Sequence, residues 1–340
     1  IRPGKIGEIS IVGFILLMLA VIYGDNVAHS SIGHWFDLDG IQLTWAIMIY
    51  GFVASVLPVW LLLTPRDYLS TFLKIGTIVA LAIGILIVSP ALQMPAVTHF
   101  IDGSGPVFSG ALFPFLFITI ACGAVSGFHA LISSGTTPKM LENETHVRMI
   151  GYGGMLMESF VAIMALAAAA SLDPGVYFAM NSPAALIGTD ANTAAEVITT
   201  KLQFPVDAAT LLHTAKEVGE NTILSRAGGA PTLAVGMAHI MSRLIPGEAM
   251  MAFWYHFALL FEALFILTAV DAGTRVARFM IQDLGSIFYK PFGNTDSIPA
   301  NLIATFFAVA LWGYFLYTGV TDPLGGINSL WPLFGIANQM

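Results

Sequence analysis

Apolar stretches of about twenty residues, separated by short polar or Gly- and Pro-containing connections, dominate this chain. Windows at 8–28, 42–63, 72–88, 112–132, 150–170, 251–270 and 302–317 predict membrane-crossing helices, and an eighth begins near 330 and runs to the last residue, 340. None of these windows alternates with period two, so helices are expected and barrel strands are not. A shorter apolar segment at 232–245 is bracketed by Pro231 and Pro246. It predicts a re-entrant or interfacial helix within a long outer loop at 171–250, whose Asp173, Asp190, Glu196, Asp207, Glu217 and Glu220 read as solvated. The fold expected is an all-α polytopic membrane bundle with broken helices, one transmembrane domain over 1–340. The chain opens on Ile1 and closes on Met340 inside an apolar pattern, so a longer protein is expected.

Composition sharpens this picture. The chain is 56% hydrophobic and 10% charged, against about 25% charged in an average soluble domain. Such a chain cannot cover a water-facing surface, which excludes an ordinary soluble enzyme. The 21 acids outnumber the 13 bases, and the bases are dispersed, so no nucleic-acid partner is expected. Cys122 is the single cysteine and permits no disulfide framework. Without an HExxH, paired CxxC or Walker loop, no metal, cofactor or ATP-driven reaction is expected. Orientation follows from Lys and Arg near span ends. Arg2, Lys5, Arg66, Lys139, Arg148, Arg275, Arg278 and Lys290 read as cytoplasmic, which places 37–39, 89–110 and 171–250 outside.

Two spans contain what a plain anchor avoids. In 42–63 the core runs from Tyr50 and Gly51 through Ser55 to Pro58, which removes a backbone donor and predicts a break. In 112–132 it runs from Cys122 and Gly123 through Ser126 and Gly127 to His129, followed by Ser133, Ser134 and Pro138. Both segments, 51–58 and 123–127, are expected to interrupt the i→i−4 ladder. Freed backbone groups at membrane depth persist where they line a cavity or meet a partner, as in secondary-transporter sites. Tyr50, Gly51, Ser55, Gly123, Ser126, Gly127 and His129 are therefore candidate substrate-binding residues. The plainer alternative is close helix packing through small residues.

Ionisable residues inside spans are the sharper signal, since each costs about 2.5–3.5 kcal/mol on insertion scales. Glu158, Glu262 and His129 are candidate proton carriers, with buried structural pairing as the competing reading. Asp271 lies four residues before Arg275, a spacing that predicts a helix-surface ion pair. The aromatic run at 253–257 reads first as an interfacial belt. An intramembrane serine protease using Ser126 and His129 is a remote alternative, because no second motif supplies a partner. A sodium-coupled symporter or a channel-like facilitator shares the broken helices and stays open.

The stretch FPFLFITIACGAVSGFHALISSGTTPK at 113–139 resembles the carbon starvation protein A family of bacterial inner-membrane transporters. The likeness continues through PRDYLSTFLKIG at 65–76, GYGGMLMESFVAIMAL at 151–166 and DPGVYFAMN at 173–181. It extends over RAGGAPTLAVG at 226–236, FWYHFALLFEALFILTAVDAGTR at 253–275 and DPLGGINSLWPLFGIANQM at 322–340. The resemblance implies a multi-pass inner-membrane importer of short peptides or pyruvate that acts during carbon starvation. It further implies an inverted-repeat architecture like that of sodium and amino-acid symporters. By that analogy 42–63 is the broken helix opening a second repeat and 112–132 its third helix. Ser133 and Ser134 then resemble a cation-site pair of hydroxyls. Several membrane acids and histidines favour proton over sodium coupling, so the partners expected are the bilayer, a peptide or pyruvate, and a proton.

Overall fold

The structure is a computed structural model that describes residues 6–28, 30–107, 110–125, 127–135, 137–139, 141–247, 249–322 and 327–340. Fifteen α-helices, and no strand, are found among the described residues. In chain order they are α1 (Ile6–Ala28), α2 (Gly40–Val56), α3 (Leu63–Val88), α4 (Phe117–Ile120), α5 (Cys122–Val125), α6 (Phe128–Gly135) and α7 (Val147–Ala170). Then come α8 (Pro174–Asn181), α9 (Ala184–Ile187), α10 (Ala191–Thr200), α11 (Ala208–Glu217) and α12 (Gly229–Leu244). Last are α13 (Met250–Phe288), α14 (Ile298–Thr321) and α15 (Ile327–Gln339).

Among the described residues, five helical segments are long and apolar enough to cross a membrane: Gly7–Gly24 in α1, α3, Glu144–Ala170 including α7, α13 and α14. Their outer faces are what a bilayer requires. None of Gly7–Gly24 is buried, and α7 leaves Met149 81% and Leu166 70% exposed. Apolar faces this extensive are untenable in water and ordinary in lipid. At 39 residues α13 runs well past its expected end at 270, to about 58 Å at 1.5 Å per residue.

The chain forms two compact units, Ile1–Thr77 with Leu264–Val320, and Ile78–Ala263 with Thr321–Met340. In the first unit Asp39 starts α2 through a capping box: its carboxylate accepts from Gln42 N at 2.7 Å while Gln42 Oε1 accepts from Asp39 N at 3.0 Å. The helix stops at Val56, and Leu57 turns extended ahead of Pro58, as the residue before a proline prefers. Residues 57–62 separate α2 from α3. Small residues let α2 and its neighbours approach: a Cβ on Gly51 would sit 3.0 Å from Trp312 and 3.2 Å from Val270.

The second unit departs most from expectation. The stretch expected to be an outer loop with one short helix at 232–245, re-entrant or interfacial, folds into α8 to α12, and α12 is buried on nearly every side. Leu233, Ala234, Val235, Met237, Ala238 and Met241 are all within 6% of full burial. Gly236 is the residue that brings α12 onto α7, since any Cβ there meets the Ala168 backbone. Around this centre, Asp173, Asp190 and Asp207 N-cap α8, α10 and α11. The apolar positions of α10, namely Ala191, Ala194, Ala195 and Ile198, recur at helical spacing. A window of about twenty residues averages such short amphipathic helices away.

The expected break in 112–132 takes a definite form in this unit. A π-helical turn at Leu112–Leu116 leads into α4, Ala121 leaves the helix, and α5 ends at Val125. Gly127 then takes φ +70°, a conformation that costs a glycine little, before α6 resumes.

Candidate functional site

The end of α2 leaves carbonyls that its own helix cannot satisfy. Leu57 N closes onto Val53 O, but the carbonyls beyond Val53 have no following turn to meet. Two arginines of α13 supply the missing donors. Arg275 Nη2 donates to Ala54 O at 2.7 Å and to Leu57 O at 2.8 Å, and Arg278 Nη1 donates to Ser55 O at 2.6 Å. Both guanidinium groups sit at the negative end of the α2 dipole, and both residues are at least 95% buried. They are therefore not solvated loop charges.

One face of α13 continues this polar line. Asp271, Arg275 and Arg278 fall at i, i+4 and i+7. Asp271 pairs not with Arg275, as its spacing suggests, but with Arg66 of α3, whose Nη1 lies 2.5 Å from Asp271 Oδ2. The Tyr50 hydroxyl of α2 donates to the same oxygen at 2.9 Å and itself accepts from Arg66. Tertiary placement thus overrides the local i,i+4 option, because Arg275 is committed to the α2 carbonyls. Arg66 Nη2 also donates to Asp67 Oδ1 at 2.9 Å, and Lys74 Nζ donates to Thr268 Oγ1 at 3.0 Å.

The cluster therefore joins α2, α3 and α13 within the first unit. It carries four cations, Arg66, Lys74, Arg275 and Arg278, against two carboxylates, Asp67 and Asp271. Asp271 Oδ1, Arg275 Nε, Arg278 Nε and Ser55 Oγ are buried without a hydrogen-bond partner among the described residues. Unspent polar atoms beside a net positive charge suit a small anion or ordered water.

The expected site residues are divided by this geometry. Tyr50 and Ser55 belong to the cluster, Tyr50 through its hydroxyl and Ser55 through its carbonyl. Gly51 lies inside regular helix and serves packing; the break begins six residues later, at Leu57. Gly123 sits in α5 beside open space, and Gly127 lies at the following break. Ser126 lies outside the described residues, as do the side chains of His129 and Ser134. Ser133 donates its hydroxyl back to Ala130 O at 2.9 Å. Glu158 is on the exposed face of α7 rather than buried. Glu262 is half-buried on α13 and makes no hydrogen bond or ion pair among the described residues.

Sequence reasoning missed Arg66, Asp67 and Lys74, which lie in the 65–76 block, and misread Arg275 and Arg278. The signal available was the i, i+4, i+7 alignment with Asp271, charged residues sharing one face of an otherwise apolar helix.

A family model described as carbon starvation protein CstA matches residues 1–340. The chain is 65% identical to a protein named peptide transporter CstA from Escherichia coli strain K12, over 100% of this chain and 49% of that protein. It is 55% identical to a protein named pyruvate/proton symporter BtsT from the same organism, over 100% of this chain and 50% of that protein. A peptide transporter CstA from Bacillus subtilis strain 168 is 44% identical, over 100% of this chain and 53% of that protein. The chain spans about half the length of the curated relatives it matches. No solved structure matches it.

Proposed function

The chain belongs to the carbon starvation protein CstA family, and on that premise we propose that it works in a secondary active transporter. The cargo is a small carboxylate-bearing carbon source, a short peptide or pyruvate, taken up by proton symport across the bacterial inner membrane. The relatives' names supply the two substrate classes. The observation that carries the reading is the buried charged cluster of α2, α3 and α13, with its excess of cations beside the α2 break. A carboxylate is the group that pyruvate and a peptide C-terminus share, and it answers that excess.

In this reading Tyr50 and Ser55 stand at the substrate end of α2, and Gly123, Ser126, Gly127 and His129 are further candidate substrate contacts. Glu262 is the favoured proton carrier, because Asp271 is already held by Arg66 and Tyr50. Glu158 is the second candidate, His129 a relay, and Ser133 with Ser134 a cation-site pair.

The test is uptake into proteoliposomes by the full-length protein, with labelled pyruvate and a labelled dipeptide, with and without an inward proton gradient. Accumulation of at least one substrate only under the gradient is the expected result. Glu262→Gln is expected to abolish that accumulation while leaving substrate exchange. If neither substrate accumulates under any gradient, the transport reading fails.

A further inference from the structure

The second unit holds an open cavity of about 300 Å³ where α3 and α7 end, flanked by α11 and α12, with Thr210 and Arg243 exposed at it. Its volume is at the lower end of the range for small-molecule pockets. Two opposite charges line it, Asp173 at the start of α8 and Arg243 near the end of α12. They do not pair with each other: neither forms a salt bridge among the described residues. Asp173 spends one oxygen on its helix cap, accepting from Gly175 N at 2.8 Å and Val176 N at 3.3 Å. Its other oxygen makes no hydrogen bond among the described residues, and nor does the Arg243 guanidinium.

The uncharged groups divide in the same way. The Ser171 hydroxyl donates to Ala168 O at 2.7 Å and the Thr214 hydroxyl to Thr210 O at 2.9 Å. Both hydroxyls therefore offer only lone pairs to the cavity, and with Asp173 they are the acceptors in its lining that an ammonium can use. Arg243 brings up to five N–H donors, suited to a carboxylate. His239 also lines the space, and burial pushes its pKa below the ordinary imidazole value, so it adds no charge at neutral pH. The lining thus holds one negative and one positive side chain, a balance that a bare anion leaves half unanswered.

We propose that this cavity binds a small zwitterion, an amino acid or a short peptide, with its ammonium against Asp173 and its carboxylate against Arg243. That the bound molecule is cargo captured on its way to the membrane rests on the transport reading above. The binding itself does not.

The experiment is calorimetric titration of the full-length protein in detergent, without any gradient, using alanine, dialanine, N-acetyl-dialanine and pyruvate. Dialanine or alanine is expected to bind, and whichever binds more tightly identifies the length of the ligand. N-acetyl-dialanine and pyruvate, which lack the ammonium, are expected to bind at least tenfold more weakly. Asp173→Asn keeps the helix cap, since Asn caps as well as Asp, and is expected to remove that tenfold preference. Arg243→Gln is expected to weaken every carboxylate probe at least tenfold.

Equal binding of dialanine and its acetylated form by the wild-type protein overturns the proposal without any variant. So does absence of zwitterion binding, or binding that both substitutions leave unchanged. Binding is read by calorimetry and accumulation in the proteoliposomes, so zwitterion binding can fail while transport stands, and transport can fail while binding stands.

Discussion

Replacing Arg275 by Met removes the donor that holds the broken end of α2. Arg275 Nη2 serves two carbonyls, Ala54 O at 2.7 Å and Leu57 O at 2.8 Å. Neither can turn to its own helix, because α2 stops at Val56 and Pro58 has no N–H. An orphaned buried carbonyl costs about 1–3 kcal/mol, so two cost roughly 2–6 kcal/mol. A lower bound comes from polar contacts between membrane helices, which average about 0.6 kcal/mol each, or roughly 1.2 kcal/mol for the pair. The higher range is expected, since the carbonyls belong to interrupted backbone and find no substitute in lipid. The assay is reversible unfolding of the full-length protein in mixed micelles, comparing wild type, Arg275→Met and Arg275→Lys. Lysine keeps a cation and N–H donors on a different reach and is expected to lose less than methionine. A loss below about 1.2 kcal/mol for Arg275→Met refutes the reasoning, because the two carbonyls would then be satisfied without the guanidinium.

Two further outcomes are expected. Arg66→Met should destabilise by about 3–5 kcal/mol, as leaving a buried charge unpaired does, and Asp271→Asn by less, because Arg66 is partly exposed and keeps Asp67. The double variant should lose clearly less than their sum in the same unfolding assay, and additivity within about 0.5 kcal/mol contradicts the pairing. Hydrogen bonds at the caps of α10 and α11, first from the Thr193 backbone at Asp190 and from the Thr210 side chain and then backbone at Asp207, hold both carboxyls below the usual carboxylate range. Their contribution is complete above the ordinary carboxylate pKa and is lost as pH falls through the lower folded values. Amide exchange at 191–200 and 208–217, corrected for its intrinsic pH dependence, should therefore accelerate on acidification, and Asp→Asn at both caps should flatten that response.

The membrane class of this protein was legible without any structure. Long apolar windows and scarce charge leave helices in lipid as the only way to satisfy the backbone. Local chemistry was equally legible: Pro58 ends α2, and Gly127 falls at a break in the segment 112–132. Each of these effects acts within a turn of chain, so the sequence carries it directly. The helices α8 to α11 were hidden because none of them runs beyond ten residues, about three turns.

Partner choice was not legible. Asp271 has Arg275 one turn away, yet it pairs with Arg66, 205 positions earlier in the chain. Arg275 and Arg278 read as loop charges until α2 is seen to break beside them, and Gly51 reads as a site residue until Trp312 is seen against it. A sequence states what each side chain can donate, accept or bury, and how far its influence reaches along its own helix. Which distant group takes up that capacity depends on which helices pack together. That packing is settled by the summed fit of whole faces, so only the tertiary structure decided that Arg275 would hold the end of α2 and leave Asp271 to Arg66.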